Sequence, residues 1–198
     1  QKDMSFTIQY HATVDQDTFF NISNRNYFNL NGQGNGDIKD HILLIYSNMY
    51  MPVRGYDRIP DGTTRNVFST AFDFVYPKKI GKEICNEDIQ LKYGNGYDHN
   101  YLIALNKGAM KTIANIRSEK TGIGMEVQSD MPGMQFYTGN DIEIQKGKGG
   151  VSYYPYSGFV LEPQYWPNSM NTPGFLPCIL RAGEMWSSKT VYSFYHTR

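Results

Sequence analysis

Ser157-Gly158-Phe159-Val160-Leu161-Glu162-Pro163-Gln164-Tyr165-Trp166-Pro167 starts as a short apolar run and closes among prolines and aromatic rings. The run reads as a β-strand. Side chains of a strand alternate between its faces, so Phe159 and Leu161 share one face while Val160, Glu162 and Gln164 share the other. A carboxylate in an apolar strand is costly to bury without a partner. Pro163 has no N–H to give a sheet ladder, so the strand ends or meets a sheet edge there. Glu162 is thereby set near a strand end, close to the amide of Gln164 and the rings of Tyr165 and Trp166. Such a group suits a polar ligand with apolar faces, such as a sugar. On position alone, a strand-end salt bridge accounts for the glutamate equally well.

The flanking segments have the same character. Residues 4–10 alternate apolar and polar side chains, the mark of a half-buried strand. Residues 18–22 are extended. Residues 41–46 show little alternation and read as a strand buried on both faces. Residues 67–74 are a further extended candidate. Gly94 and Gly96 mark a turn that leads into a strand over 101–105. Asp98 and His99 are neighbours on extended chain, face opposite ways and do not form a His–Asp pair acting on one atom. Residues 111–117 and 122–128 form a hairpin pattern, and 134–138 is another strand, with Gln135 and Tyr137 on one face. Residues 185–195 close the chain as a long strand. Residues 31–36 and 52–64 carry turn-forming Gly, Pro, Asn and Asp and read as loops. Only 82–91 offers a helix, and Ile84, Ile89 and Leu91 support no more than a short turn of it. At least eight strands with turn signals between them predict an all-β antiparallel sandwich, organised as a single domain over residues 1–198.

Composition narrows the function. The 198 residues suffice for one well-buried core. Lys and Arg total 19, as do Asp and Glu, so the net charge is zero. That balance gives no footing for nucleic acid or an acidic membrane surface. The longest apolar run, residues 42–46, is far below a membrane span. Residues 1–5 hold no apolar signal core, and a cytoplasmic location is the expectation. The chain opens directly into a strand, which suggests a processed or incomplete start. Cys85 and Cys178 have no metal-type spacing and are too few for a disulfide framework, so they read as free thiols. Gly147-Lys148-Gly149-Gly150 lacks the spacing of a phosphate-binding loop, and no helix follows it.

Four stretches, in order, resemble the galactose mutarotase (aldose 1-epimerase) family. Asn21-Ile22-Ser23-Asn24-Arg25-Asn26-Tyr27-Phe28-Asn29-Leu30 is similar to the family's Asn-x-Thr-Asn-His-Ser-Tyr-Phe-Asn-Leu. Gly96-Tyr97-Asp98-His99-Asn100-Tyr101 resembles Gly-Phe-Asp-His-Asn-Phe/Tyr. Pro132-Gly133-Met134-Gln135-Phe136-Tyr137-Thr138-Gly139-Asn140 resembles Pro-Gly-Val-Gln-Phe-Tyr-Thr-Gly-Asn. Gly158 to Pro167 resembles Gly-Phe-x-Leu-Glu-x-Gln-x-Trp-Pro. The resemblance implies a large twisted antiparallel β-sandwich with an open sugar-binding cleft. It implies interconversion of the α and β anomers of an aldohexose, free or as a sugar end group, with no metal or cofactor. It places Glu162 on the family's base, Asp98 and Gln135 on sugar-contacting residues, and Asn26 and Trp166 beside the sugar.

Two departures qualify that expectation. The family's acid histidine is Arg25 here, and an arginine does not release its proton in a protein. A positioned acid contributes roughly 10²–10⁴ in rate, so a binding-only member of the family is the alternative expectation. The resemblance also implies an N-terminal family part, with a further histidine and an arginine of the sugar site, outside this sequence. A second chain or a further segment is therefore expected to complete the sandwich. His11, His41, His99 and His196 match none of the family's catalytic histidines.

Overall fold

Alternation in the sequence becomes pairing in the structure. The computed structural model describes residues 4–197. Strand β1 (Ser5–Ala12) pairs antiparallel along its whole length with the C-terminal strand β13 (Trp186–His196). Between them in sequence lie β2 (Thr18–Phe19), β3 (Ile42–Ile45), β4 (Met49–Met51), β5 (Arg65–Asn66) and β6 (Lys78–Lys79). Then come helix α1 (Ile89–Gly94) and strands β7 (Asp98–Leu102), β8 (Lys111–Arg117), β9 (Ile123–Ser129), β10 (Gly133–Tyr137), β11 (Val160–Gln164) and β12 (Ile179–Leu180). One sheet runs β1-β13-β9-β8-β3-β6, a second runs β11-β10-β7-β4-β5, and β12 and β2 form a ribbon. The expected all-β antiparallel sandwich is what the described residues form.

The two sheets bury one shared set of side chains. Leu43, Ile45, Ile116, Met125, Val127 and Tyr192 come from the first sheet; Tyr101, Met134, Phe136 and Leu161 come from the second. Tyr192 crosses the core, and its buried hydroxyl donates to the carbonyl of Leu161 at 3.1 Å. Buried phenols of this kind need such a partner. Cys85 is exposed, Cys178 is buried, and both are free.

Five local expectations change. The strand expected over 101–105 runs over Asp98–Leu102, and β3 alternates half-buried and buried residues instead of being buried on both faces. Residues 67–74 are turns, not a strand. Asn66, Thr70 and Asp73 each accept, through a side-chain oxygen, the backbone N–H two residues on, of Phe68, Phe72 and Val75. These side-chain bonds compete with a sheet ladder and win, while Val67, Phe72 and Phe74 still bury completely. The extended stretch at 18–22 is shorter, with only Thr18–Phe19 paired. The short helix expected within 82–91 overlaps that range only at its end, running over Ile89–Gly94. Asp88 caps it by accepting from the N–H of Gln90, and Asn95 closes it in a left-handed conformation with φ 53°.

Pro163 lies within β11, and β11 is the edge of its sheet, as a proline requires. The neighbour β10 pairs on both sides. Its register sets Gln135 opposite Glu162 on one flank and opposite Asn100 on the other. The next step along that face sets Tyr137 between Val160 and Asp98. Met134 and Phe136 point the other way, into the core. Gly133 is needed where it stands, because a Cβ there would come within 2.9 Å of both Asn100 and Trp166.

Candidate active site

The outer face of β11, β10 and β7 carries Glu162, Gln135, Asp98 and Asn100, which line one cleft of about 190 Å³. Gln135 Nε2 donates to Asp98 Oδ1 at 2.7 Å, and that bond fixes which end of the amide is which. Gln135 Oε1 is then a buried acceptor with no partner. A buried, unpaired oxygen is costly, and a hydroxyl donor entering the cleft would satisfy it. Gln164 Nε2 reaches Asn100 Oδ1 at 3.5 Å on the far side of the row.

Arg25 arrives from the irregular segment over residues 20–27, which is laced to the free edge of β11. Asn21 accepts from the N–H of Tyr165 at 2.8 Å and donates to its carbonyl at 3.2 Å. Ser23 Oγ donates to the carbonyl of Pro163 at 2.8 Å. Phe28 and Phe159 exchange both backbone bonds. The Asn- and Ser-rich composition thus does a definite job: short polar side chains cover an edge that a regular strand would leave to the backbone. The result sets Arg25 Nη1 3.3 Å from Glu162 Oε2. The guanidinium also donates through Nε to Tyr27 Oη at 3.2 Å and lies 4.7 Å from the ring centre of Tyr137, a cation–π contact.

Electrostatics follow from burial. Burial raises the pKa of Glu162, while Arg25 and Ser23 pull it back and the Asp98 charge adds to the rise. Burial also raises Asp98, opposed by the Gln135 hydrogen bond and by Arg58 and Arg25. For Arg25, burial works against the charge, but the Tyr27 hydrogen bond and the nearby Tyr27, Glu162 and Asp98 outweigh it and hold the pKa above the ordinary arginine value. Glu162 is therefore a carboxylate with more affinity for a proton than one in water, facing a cation that keeps its own.

Arg58 also belongs to this cleft, and nothing in its sequence context marks it. It sits in the long loop before β5 in a left-handed conformation, φ 57°. Its Nη1 lies 3.5 Å from Asp98 Oδ2 and also pairs with Asp141. The loop has no periodicity to exploit, and the one hint was a turn spelled Gly55-Tyr56-Asp57-Arg58. Asn26 and Trp166 stand off the cleft. Asn26 is half-buried outside its lining. Trp166 is a core ring whose indole N–H donates to the carbonyl of Pro132 at 3.0 Å and whose edge meets Phe175. His99 turns inward, as strand parity requires, with Nδ1 accepting from the N–H of Asp98 and Nε2 3.2 Å from Gln90 Oε1. Among the described residues, no three His, Cys, Asp or Glu side chains are grouped to hold a metal ion.

Comparison with known proteins settles the lineage. Residues 1–193 match the family described as aldose 1-epimerase. The chain belongs to the aldose 1-epimerase family. Galactose mutarotase of Rattus norvegicus is 39% identical over 188 residues, covering 94% of this chain and 53% of that protein. Aldose 1-epimerase of Escherichia coli K12 is 35% identical over 194 residues, covering 97% and 55%. Among solved structures, a GalM/aldose epimerase homologue from C. elegans superposes with a TM-score of 0.84 at 25% identity, covering 98% of this chain and 57% of that one. Galactose 1-epimerase from Lactobacillus acidophilus NCFM gives 0.82 at 26% identity, covering 100% and 55%. The chain spans about half the length of the curated relatives it matches. Within this chain, the segment carrying Arg25 and the strands carrying Asp98, Gln135 and Glu162 are the ones that meet at the cleft.

Proposed function

We propose that this chain binds an aldohexose in the cleft and interconverts its anomers, with Glu162 as the base. The observation that carries this reading is the arrangement around Glu162. A partly buried carboxylate of raised proton affinity faces a cation at 3.3 Å, beside a hydrogen-bonded amide–carboxylate pair. Glu162 takes the proton of the C1 hydroxyl as the bond between C1 and the ring oxygen breaks. The ring oxygen gains a proton, and C1 becomes an aldehyde carbon. Rotation about the C1–C2 bond presents the other face of that carbon, and the reverse transfers close the ring. Asp98 and Gln135 hold sugar hydroxyls through the step, which needs the ring kept in register.

Arg25 does not supply the proton. Its N–H groups hold the ring oxygen and stabilise the charge developing there, an electrostatic role suited to a fixed cation in a cleft. The proton itself comes from water bound at the guanidinium. The second reading, a member that binds sugar without turning it over, is favoured by Arg25 alone, because an arginine is a poor general acid.

Polarimetry on freshly dissolved α-glucose and α-galactose separates the two. Accelerated approach to equilibrium is the expected result. No acceleration by folded protein, with hexose binding in a calorimetric titration, supports the binding-only reading. Arg25→His restores an ionisable acid and is expected to raise kcat, since a positioned acid is worth roughly 10²–10⁴ in rate.

A further inference from the structure

A second cavity, of about 750 Å³, adjoins the cleft and is large enough for a whole sugar ring. Tyr27 and Tyr137 line this cavity and stand against Arg25, which lines the cleft. On one side Arg25 lies on the Tyr137 ring and bonds the Tyr27 hydroxyl. The same two tyrosines, packed edge to face at 6.3 Å, line the second cavity. Asp141 lines it too and is held by Arg58, whose guanidinium reaches Asp98 in the cleft. Tyr27 is 48% exposed, with Arg25 over its ring at 5.9 Å. Tyr153 supplies a further aromatic surface, and Gln33, Glu143 and Lys148 add polar side chains to the lining. The charges there balance, Asp141 against Arg58 and Glu143 against Lys148, which suits an uncharged ligand with many hydroxyls and apolar ring faces.

We propose that this cavity holds a second hexose unit joined through O6 of the sugar in the cleft. The direction rests on the reading that sets the ring oxygen at Arg25. In a pyranose that oxygen lies between C1 and C5, and C5 carries the exocyclic C6. A group on O6 leaves the cleft on the Arg25 side, over Tyr27 and Tyr137, and enters the second cavity. A group on O4 leaves from the opposite part of the ring.

Calorimetric titration with glucose, with isomaltose (linked through O6) and with maltose (linked through O4) tests this. One stacked ring predicts that the protein binds isomaltose about tenfold more tightly than glucose, with no such gain for maltose. Glu143→Trp, which fills the cavity, and Tyr153→Leu, which removes a ring, are each expected to erase most of that gain. Isomaltose binding no tighter than glucose, or a gain that survives both substitutions, overturns the proposal. An equal gain for maltose overturns the O6 assignment. Polarimetry with glucose reports separately on the catalytic reading. Acceleration without an isomaltose preference sinks the subsite alone, and an isomaltose preference without acceleration sinks the catalytic reading alone.

Discussion

Glu162 and Arg25 are 3.3 Å apart, and everything proposed about the chemistry turns on how that pair divides one task. Glu162→Gln keeps the shape and the hydrogen-bonding reach of the side chain but cannot take a proton. Anomer exchange by this variant is expected to fall by roughly 10²–10⁴, while calorimetry still shows hexose binding; exchange at the original rate would remove Glu162 from the mechanism. The pH profile gives an independent check. The base works only when ionised, and burial raises its pKa. The acid limb of kcat/KM, which reports the free protein, is therefore expected to lie above the ordinary glutamate value of about 4.3. Arg25 lowers that pKa, so Arg25→Ala is expected to move the limb further up; a limb that moves down contradicts the pairing. Much of this site is legible in the sequence, because Glu162, Gln135 and Asp98 each stand inside a distinctive run of residues. Arg58 is not legible. Its place is set by a left-handed turn and by Asp98 and Asp141, which lie 40 and 83 positions away. Trp166 shows the converse: an aromatic residue beside the base reads as a ligand platform, yet its indole N–H is committed to Pro132.

Strands place these residues, and the strength of the placement depends on close approach between neighbours. Gly124 on β9 pairs with Tyr195 on β13. The Tyr195 ring lies across the glycine, and its hydroxyl donates to Asn115 Oδ1 on β8 at 2.6 Å, so one side chain spans three strands. A Cβ at position 124 would collide with that ring. Gly124→Ala is expected to destabilise the protein by about 1–3 kcal/mol, the ordinary cost of overpacking, read as a lowered urea midpoint with an unchanged slope. A neutral result would mean that the Tyr195 ring swings clear and that Asn115 finds another donor. The long strands β1, β8, β9, β10 and β13 were legible from the sequence pattern, while the two- and three-residue strands β4, β5, β6 and β12 are too short to show a period. Residues 66–75 were not, since apolar Val67, Phe72 and Phe74 mimic a strand while Asn66, Thr70 and Asp73 bend the backbone into turns. Propensity sees the first set; only the folded chain shows that the second prevails.

At the scale of the whole molecule, two histidines make the sandwich sensitive to acid. His41 is fully buried and accepts the N–H of Leu30 at 3.0 Å through Nε2. His99 is buried against the rings of Tyr50 and Phe72. Burial lowers their pKa values to about 4 and about 3, against an ordinary value of 6.5. Between those limits the unfolded chain binds a proton at each position and the native protein does not. Stability is therefore present above pH 6.5 and is lost as the pH falls, at up to about 1.4 kcal/mol per pH unit for each histidine. Glu162 and Asp98 act in the opposite sense. Their raised pKa values make the native state hold protons more tightly than the unfolded chain, which offsets part of the loss at the acid end. Urea titrations from pH 7 to pH 4.5 are expected to show stability falling steadily through that window. His41→Gln keeps an acceptor for Leu30 but does not titrate, and it is expected to flatten the fall by close to one proton's worth. An unchanged slope would mean that His41 charges in the native state, and that the acceptor role read from its Nε2 is wrong. That outcome would also unfasten Leu30 from the core just beyond the segment that carries Arg25, so the pH profile of stability tests the support of the cleft as well as the fold.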